Sequence, residues 1–119
     1  FEAELLGWYG LAWDYDGMLR WAYNSWPADP QIDSRYGTWS SGDTYLVYPH
    51  ARSSVRFERM IDGIEAAEKV RALRAAGVDT SAVEAALAKI RATNVNDHKQ
   101  PWKQITAEAR AALDEASAK

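Results

Sequence analysis

The sequence lacks cysteine altogether, so disulfide bonds and thiolate metal sites are excluded. Its two histidines, His50 and His98, stand alone in predicted loops. Without a metal-ligand spacing we expect no metal site, and we expect no cofactor. No apolar run approaches the roughly 18 residues that a membrane span needs. The net charge of −3 does not indicate a basic surface for binding nucleic acid. The 119 residues suffice for one domain, with neither a membrane nor a nucleic acid as a predicted partner.

Aromatic residues are abundant but unevenly distributed. Thirteen of the 14 lie in residues 1–57, and only Trp102 lies beyond. Acids exceed bases by three in that first part, whereas residues 58–119 hold ten of each. The second part is Ala-rich and has the mixed charge of solvated helices. The first part is typical of a packed aromatic core or of a binding surface.

Four helices are predicted from apolar residues at helical spacing. They cover residues 1–15, 55–76, 81–93 and 107–118. Gly77 is expected to end the second helix. The expected N-caps of the last three helices are Ser53 or Ser54, Asp79 or Thr80, and Thr106.

Two short strands are predicted, Met18–Tyr23 and Thr44–Tyr48, on either side of a long loop, Asn24–Ser41. Two strands of this length do not make a stable sheet by themselves. We therefore expect a fragment, whose missing strands belong to another chain or to another part of the polypeptide. The start at Phe1, without a methionine and inside a predicted helix, favours the same interpretation.

Side chains alternate along the first predicted strand and its continuation. One face carries Leu19, Trp21 and Tyr23, which suits packing under helices. The other face carries Arg20 and Asn24. In a barrel strand that second face would look inward, and its C-terminal end would lie at the active-site rim. The alternative is a structural ion pair at Arg20 with core tryptophans around it.

The loop is rich in aromatic residues and is followed by an acid. The residues concerned are Trp26, Tyr36, Trp39, Asp43 and Tyr45. Flat rings match the apolar face of a sugar, while Asp, Asn and Arg match its hydroxyl groups. This combination indicates carbohydrate binding. The alternative is that the rings only fasten the loop to the body of the protein.

Acidic residues give no convincing catalytic pair. A glycosidase needs two carboxyl groups across the scissile bond. Asp14 and Asp16 look like a helix end and a turn, and Asp29 lies in a proline-bounded turn with Asp33 four residues later. We therefore predict that this chain supplies no catalytic residue.

Three sequence blocks in order, GMLRWAYNSW, DSRYGTWSSGDTYLVYP and RSSVRFERMIDGIEAAEKVRALR, resemble the C-terminal part of the catalytic domain of glycoside hydrolase family 123. The resemblance covers about residues 7–75. It implies a (β/α)8 TIM barrel and an exo-acting β-N-acetylgalactosaminidase. It also implies retention through the substrate's own acetamido group, with an adjacent Asp-Glu pair. In that pair the Glu is the general acid/base and the Asp orients the acetamido group.

By this resemblance, residues 1–77 are the end of the barrel domain and residues 78–119 are a helical extension. The chain is then a barrel fragment, mostly α with one or two short strands. Its expected partners are a carbohydrate with N-acetylhexosamine and the remainder of the barrel. The residues expected to line the sugar subsite are Arg20, Asn24, Trp26, Trp39, Asp43 and Tyr45.

Two departures from the family pattern stand out. The only adjacent Asp-Glu, Asp114-Glu115, lies in the last predicted helix, so the acid pair is expected outside this chain. His50 and Ala51 replace an expected glycine pair after VYP. Two other functions stay open on the residues alone. The chain could be a non-catalytic carbohydrate-binding module, or a helical module whose aromatic half binds another protein.

Overall fold

The computed structural model describes residues 2–94, 96–97 and 99–118. Its elements are four α-helices: α1 Glu2–Ala12, α2 Val55–Ala75, α3 Ser81–Ala92 and α4 Trp102–Ser117. The prediction of a mostly helical chain is thus confirmed. None of the helices in this part of the chain has both the length and the apolar character needed to cross a bilayer.

The chain forms two compact units. The first, called here the helical unit, contains the residues up to Met18 and those from Arg59 onwards. The second, called here the loop unit, is Leu19–Glu58 and contains the predicted sugar-binding residues.

The helical unit has a continuous apolar core to which all four helices contribute. Trp8 of α1, Val70 of α2, and Leu87 and Ile90 of α3 are completely buried there, and Trp102 of α4 is nearly so. Trp8, Val70, Leu87 and Ile90 lie within predicted helices, whereas Trp102 lies before the predicted start of the last helix. The two helices of residues 81–118 therefore share their core with α1 and α2.

An ion pair at α1 accompanies this apolar contact. Glu4 is buried, and its Oε1 lies 2.7 Å from Nη2 of Arg110 in α4. The Trp8 indole N–H also donates to Glu4, at 3.5 Å. At the other end of α1, the Arg91 guanidinium donates to the Ala12 carbonyl oxygen at 2.8 Å. These charge-assisted bonds fix α3 and α4 along α1.

Helix ends follow the predicted caps in part. Ser54 caps α2, because its Oγ accepts a hydrogen bond from the Phe57 N–H at 3.1 Å. Gly77 ends that helix with φ of 71°, and the Val78 N–H bonds back to the Leu73 carbonyl at 3.0 Å. The prediction for Thr106 is wrong. It lies inside α4 and donates to the Trp102 carbonyl at 2.8 Å.

The two predicted strands do not form regular strands, and this corrects the prediction for Met18–Tyr23 and Thr44–Tyr48. In the described residues the extended segments make only isolated bridges, one of them between Asn24 and Tyr45. Two short segments without further neighbours lack the ladder that stabilises a sheet. The expected burial of one strand face is also wrong, because Leu19, Trp21 and Tyr23 are 95%, 53% and 51% exposed.

Candidate functional site

The two extended segments of the loop unit are nonetheless fastened to each other. Ser25 and Thr44 exchange two bonds: the Ser25 N–H donates to the Thr44 carbonyl at 3.0 Å, and Thr44 Oγ1 donates to the Ser25 carbonyl at 2.6 Å. The Leu46 N–H donates to the Tyr23 carbonyl at 2.7 Å. The Thr44 side chain is completely buried. This pairing joins the segments that carry five of the six predicted site residues, and Trp39 lies on the loop between them.

Arg20 and Asp43 form the polar centre of the loop unit. One guanidinium nitrogen, Nη2, lies 2.5 Å from Asp43 Oδ1 and 2.5 Å from the Asp43 carbonyl oxygen. Their side chains are 31% and 34% exposed, so both remain accessible to a ligand. The structure therefore brings these two predicted site residues together.

Asn24 and Trp26 lie on the same extended segment. Asn24 is exposed and bridges to Tyr45 through the backbone. The Trp26 indole N–H donates to the Val47 carbonyl at 2.7 Å, and the ring is partly buried. The indole is thus oriented by its own hydrogen bond, with part of one ring left open to solvent.

Trp39 stands at a tight turn that Tyr36 begins, where the Trp39 N–H donates to the Tyr36 carbonyl at 3.2 Å. Its ring contacts that of Trp21 with the centroids 4.8 Å apart. Both rings are about half exposed. The alternation of side chains along the predicted strand puts Trp21 on the face opposite the site residues. It therefore gives no indication that Trp21 contacts Trp39.

Tyr45 is different from the other five site residues, because it has no exposed surface. Its hydroxyl donates to the Pro30 carbonyl at 3.3 Å, and its ring packs edge-on against Tyr48. Burial raises the pKa of the Tyr45 hydroxyl above its ordinary value of 10. In this arrangement Tyr45 anchors the long loop and does not reach a ligand.

Arg56, from the first turn of α2, also acts within the loop unit. Its Nη2 donates to the Tyr45 carbonyl at 3.0 Å, and its guanidinium carbon lies 5.1 Å from the centre of the Tyr45 ring. The sequence predicts only that Arg56 lies near the start of the second helix. Its position two residues after the Ser54 cap, in the first turn of the helix, was the available signal that it lies near the preceding segment.

The remaining acids of the loop unit have structural partners. Asp29 closes a turn, since its carboxylate accepts the Gln31 N–H at 3.1 Å and its carbonyl accepts the Asp33 N–H at 2.9 Å. This agrees with the expected turn role of Asp29. Asp33 binds the Arg35 guanidinium through both carboxylate oxygens, at 2.8 and 2.6 Å.

Asp33 offers a direct test of these contacts. Its side-chain hydrogen bond with Arg35 lowers the pKa of Asp33 from 3.8 to about 2. We expect Arg35→Gln to return the pKa towards 3.8, as measured by NMR titration of the Asp33 carboxyl. A lowered folded-state pKa favours the folded state above pH 3.8. This contribution is lost as the pH falls through about 2. An unchanged pKa in the variant would show that Arg35 is not its cause.

No candidate metal site was found among residues 2–94, 96–97 and 99–118. Asp114 and Glu115 lie in α4 and are exposed. His50 is exposed on a turn, and His98 lies outside the described residues. A cavity of about 240 Å³ lies in the helical unit, where Gly7, Gly10 and Ile64 contribute to its lining, but no predicted site residue does.

His50 and Ala51 occupy the place of the expected glycine pair. Both have left-handed backbone angles, with φ of 62° and 57°. The turn is closed by the Tyr48 N–H, which donates to the Arg52 carbonyl at 2.8 Å. Both residues therefore adopt backbone angles that glycine takes more easily.

Comparison with known proteins places this arrangement in a family. No curated protein matches the chain. The family model described as "Glycoside hydrolase 123, catalytic domain" matches residues 1–73, which is more than half of the chain and includes all six predicted site residues. The chain therefore belongs to the family of the glycoside hydrolase 123 catalytic domain.

Proposed function

We propose that the loop unit forms one wall of the sugar-binding site of a glycoside hydrolase that acts on β-linked N-acetylgalactosamine. The observation that carries the proposal is the accessible Arg20–Asp43 pair within the residues matched by the family model. A guanidinium and a carboxylate supply the donors and acceptors that sugar hydroxyl groups need. Exposed indole rings on the same scaffold supply the flat apolar surface.

In this proposal each residue has a distinct role. Arg20, Asp43 and Asn24 bind hydroxyl or acetamido groups of the sugar. Trp39 and Trp26 contact its apolar face. Tyr45 supports these residues from within the loop unit, because its ring is completely buried.

The proton transfers belong to residues other than these. The proposed reaction retains configuration because it proceeds by two displacements at the anomeric carbon. The substrate's acetamido oxygen attacks that carbon as the leaving group departs, and water then opens the resulting cyclic intermediate. A Glu protonates the leaving oxygen, and an adjacent Asp orients the acetamido group. Asp114-Glu115 is the only such dipeptide in the sequence, and it lies in α4 beyond the matched residues. We therefore propose that the acid pair is supplied from outside the 119 residues.

The proposed fold of the working enzyme is a (β/α)8 barrel. Residues 1–77 would supply its last helix-strand-helix part, and residues 78–119 a helical extension. The exposure of Leu19, Trp21 and Tyr23 supports this proposal, because apolar side chains of a barrel strand are covered once its neighbours are present. The remainder of the barrel is the proposed partner for this surface.

The test is hydrolysis of an aryl β-N-acetylgalactosaminide by the polypeptide as its genome encodes it. We expect Arg20→Met and Asp43→Asn each to lower kcat/KM by about 10- to 100-fold, since each removes a charged hydrogen-bonding group. Arg35→Met is the matched control, because it also removes an Arg–Asp pair of the loop unit. That pair is exposed to solvent. It should stay within about twofold of wild type.

Two outcomes would contradict the proposal. Equal activities for Arg20→Met and Arg35→Met would remove Arg20 from the site. Hydrolysis by the isolated 119 residues would contradict the external location of the acid pair. Saturable sugar binding by the isolated chain without hydrolysis by the encoded polypeptide would favour the non-catalytic carbohydrate-binding module.

A further inference from the structure

Arg56 combines close contacts to Tyr45 with one buried donor that has no partner. Its side chain is partly buried, and its Nε is buried without a hydrogen-bond partner. Among the residues that the structure describes, no carboxylate forms an ion pair with it. A buried donor left unpaired costs free energy, and an apolar side chain of similar length would avoid that cost. The role of the Arg56 guanidinium is therefore sought in the segment that it contacts.

The guanidinium of Arg56 contacts both ends of one short segment, residues 42–45. At one end lies Gly42, where an added Cβ would come within 2.8 Å of Arg56 Cζ. Gly42 has a φ of 74°, and its N–H donates to the Ser34 carbonyl at 3.0 Å. At the other end Arg56 binds the Tyr45 carbonyl and lies over the Tyr45 ring.

Asp43 lies between these two contacts. The next residue, Thr44, is already fixed by its two bonds to Ser25. Together with Ser25, Arg56 therefore fixes the backbone on both sides of Asp43. The Asp43 carboxylate in turn pairs with Arg20. Precise placement of a binding group requires support of this kind from a rigid element, here the first turn of α2.

We infer that Arg56 is a positioning residue of the sugar site, which holds the Gly42–Tyr45 segment so that Asp43 meets Arg20. This inference rests on the proposed function and deepens it. Arg56 itself touches no substrate. Its absence displaces Asp43 and so breaks the Arg20–Asp43 pair.

The first experiment needs no activity. The guanidinium NMR signal of Arg20 is recorded in the 119-residue chain, and Asp43→Asn gives its position without the Asp43 charge. In Arg56→Met we expect the Arg20 signal to move to the position seen in Asp43→Asn. The exposed Arg52 is the matched control, and Arg52→Met should leave the signal unchanged. An unmoved Arg20 signal in folded Arg56→Met would overturn the inference.

Folding is monitored in the same samples through the methyl signal of the buried Thr44. If Arg56→Met unfolds the loop unit, Arg56→Gln is the second variant, because it keeps a planar polar head without the charge. The same displacement of the Arg20 signal is expected there, and its absence again overturns the inference.

The second experiment is a double-mutant cycle in the encoded polypeptide, with kcat/KM as the readout. Arg56→Met should cost about tenfold in the wild-type background but less than about twofold in Asp43→Asn. A general loss of structure would cost the same in both backgrounds, and that result would overturn the inference. A wild type that hydrolyses nothing, with the NMR shifts as expected, would defeat the proposed function alone.

Discussion

Replacing Gly7 with alanine is expected to destabilise the helical unit by about 3 kcal/mol or more. A Cβ on Gly7 would lie 2.8 Å from Gly63 Cα and closer still to the Gly63 carbonyl group. The obstacle is backbone, so no side chain can rotate away, and α1 would have to separate from α2. That separation would open the core around Trp8, which is completely buried. Urea unfolding followed by far-UV circular dichroism measures the loss.

Gly10 provides the matched control one turn further along α1. Nothing lies within 4 Å of a Cβ built on it. Gly10→Ala should therefore stabilise the chain by about 0.5–1 kcal/mol, because alanine has the higher helix propensity. Similar unfolding midpoints for the two variants would contradict the close helix contact at Gly7.

Truncation of Tyr45 to alanine is the second large effect. We expect the free energy of unfolding of the loop unit to fall by about 3–4 kcal/mol. The reason is that the ring is completely buried between Tyr48 and the Arg56 guanidinium. The loss can be followed locally through the indole N–H signal of Trp26, which is held by its bond to Val47. In Tyr45→Ala this signal should take the position of an exposed tryptophan.

Tyr45→Phe separates the ring from its hydroxyl group. It keeps the buried ring and removes the hydroxyl group, which donates to the Pro30 carbonyl. The expected cost is about 1 kcal/mol, with the Trp26 signal retained. Equal losses for the phenylalanine and alanine variants would mean that the hydroxyl, and not the packed ring, anchors the loop.

The helices could be predicted closely from the sequence, whereas the extended segments could not. Val55–Ala76 was predicted and Val55–Ala75 is observed, because Ser54 and Gly77 act locally at the two ends. The sequence predicts a start of α4 at Ala107, whereas the helix begins at Trp102, directly after Pro101. A strand is stabilised by neighbouring strands that are far away in the sequence. Residues 18–23 have a strand-like sequence, but the described residues provide no further strands to pair with them.

The site residues show the same contrast between features set by the local sequence and features set by distant neighbours. The sequence predicts Arg20 and Asp43 as separate members of one sugar subsite, with a structural ion pair at Arg20 as the alternative. The structure shows such an ion pair, and its partner is Asp43. Whether a ring is buried depends on what packs around it, which spacing within one segment does not reveal. Tyr45 was therefore expected beside the sugar and is buried, while Trp21 was expected to be buried and contacts Trp39.

The turn at His50 and Ala51 bears on how this family is recognised from sequence. Its left-handed backbone is kept by two residues with side chains, at a cost of roughly 1–2 kcal/mol each. The closing bond between Tyr48 and Arg52 preserves the shape that glycine would otherwise make easy. Side chains can therefore occupy both positions of this turn. The lack of glycine there is no argument against a left-handed turn, nor against the family match that the chain shows.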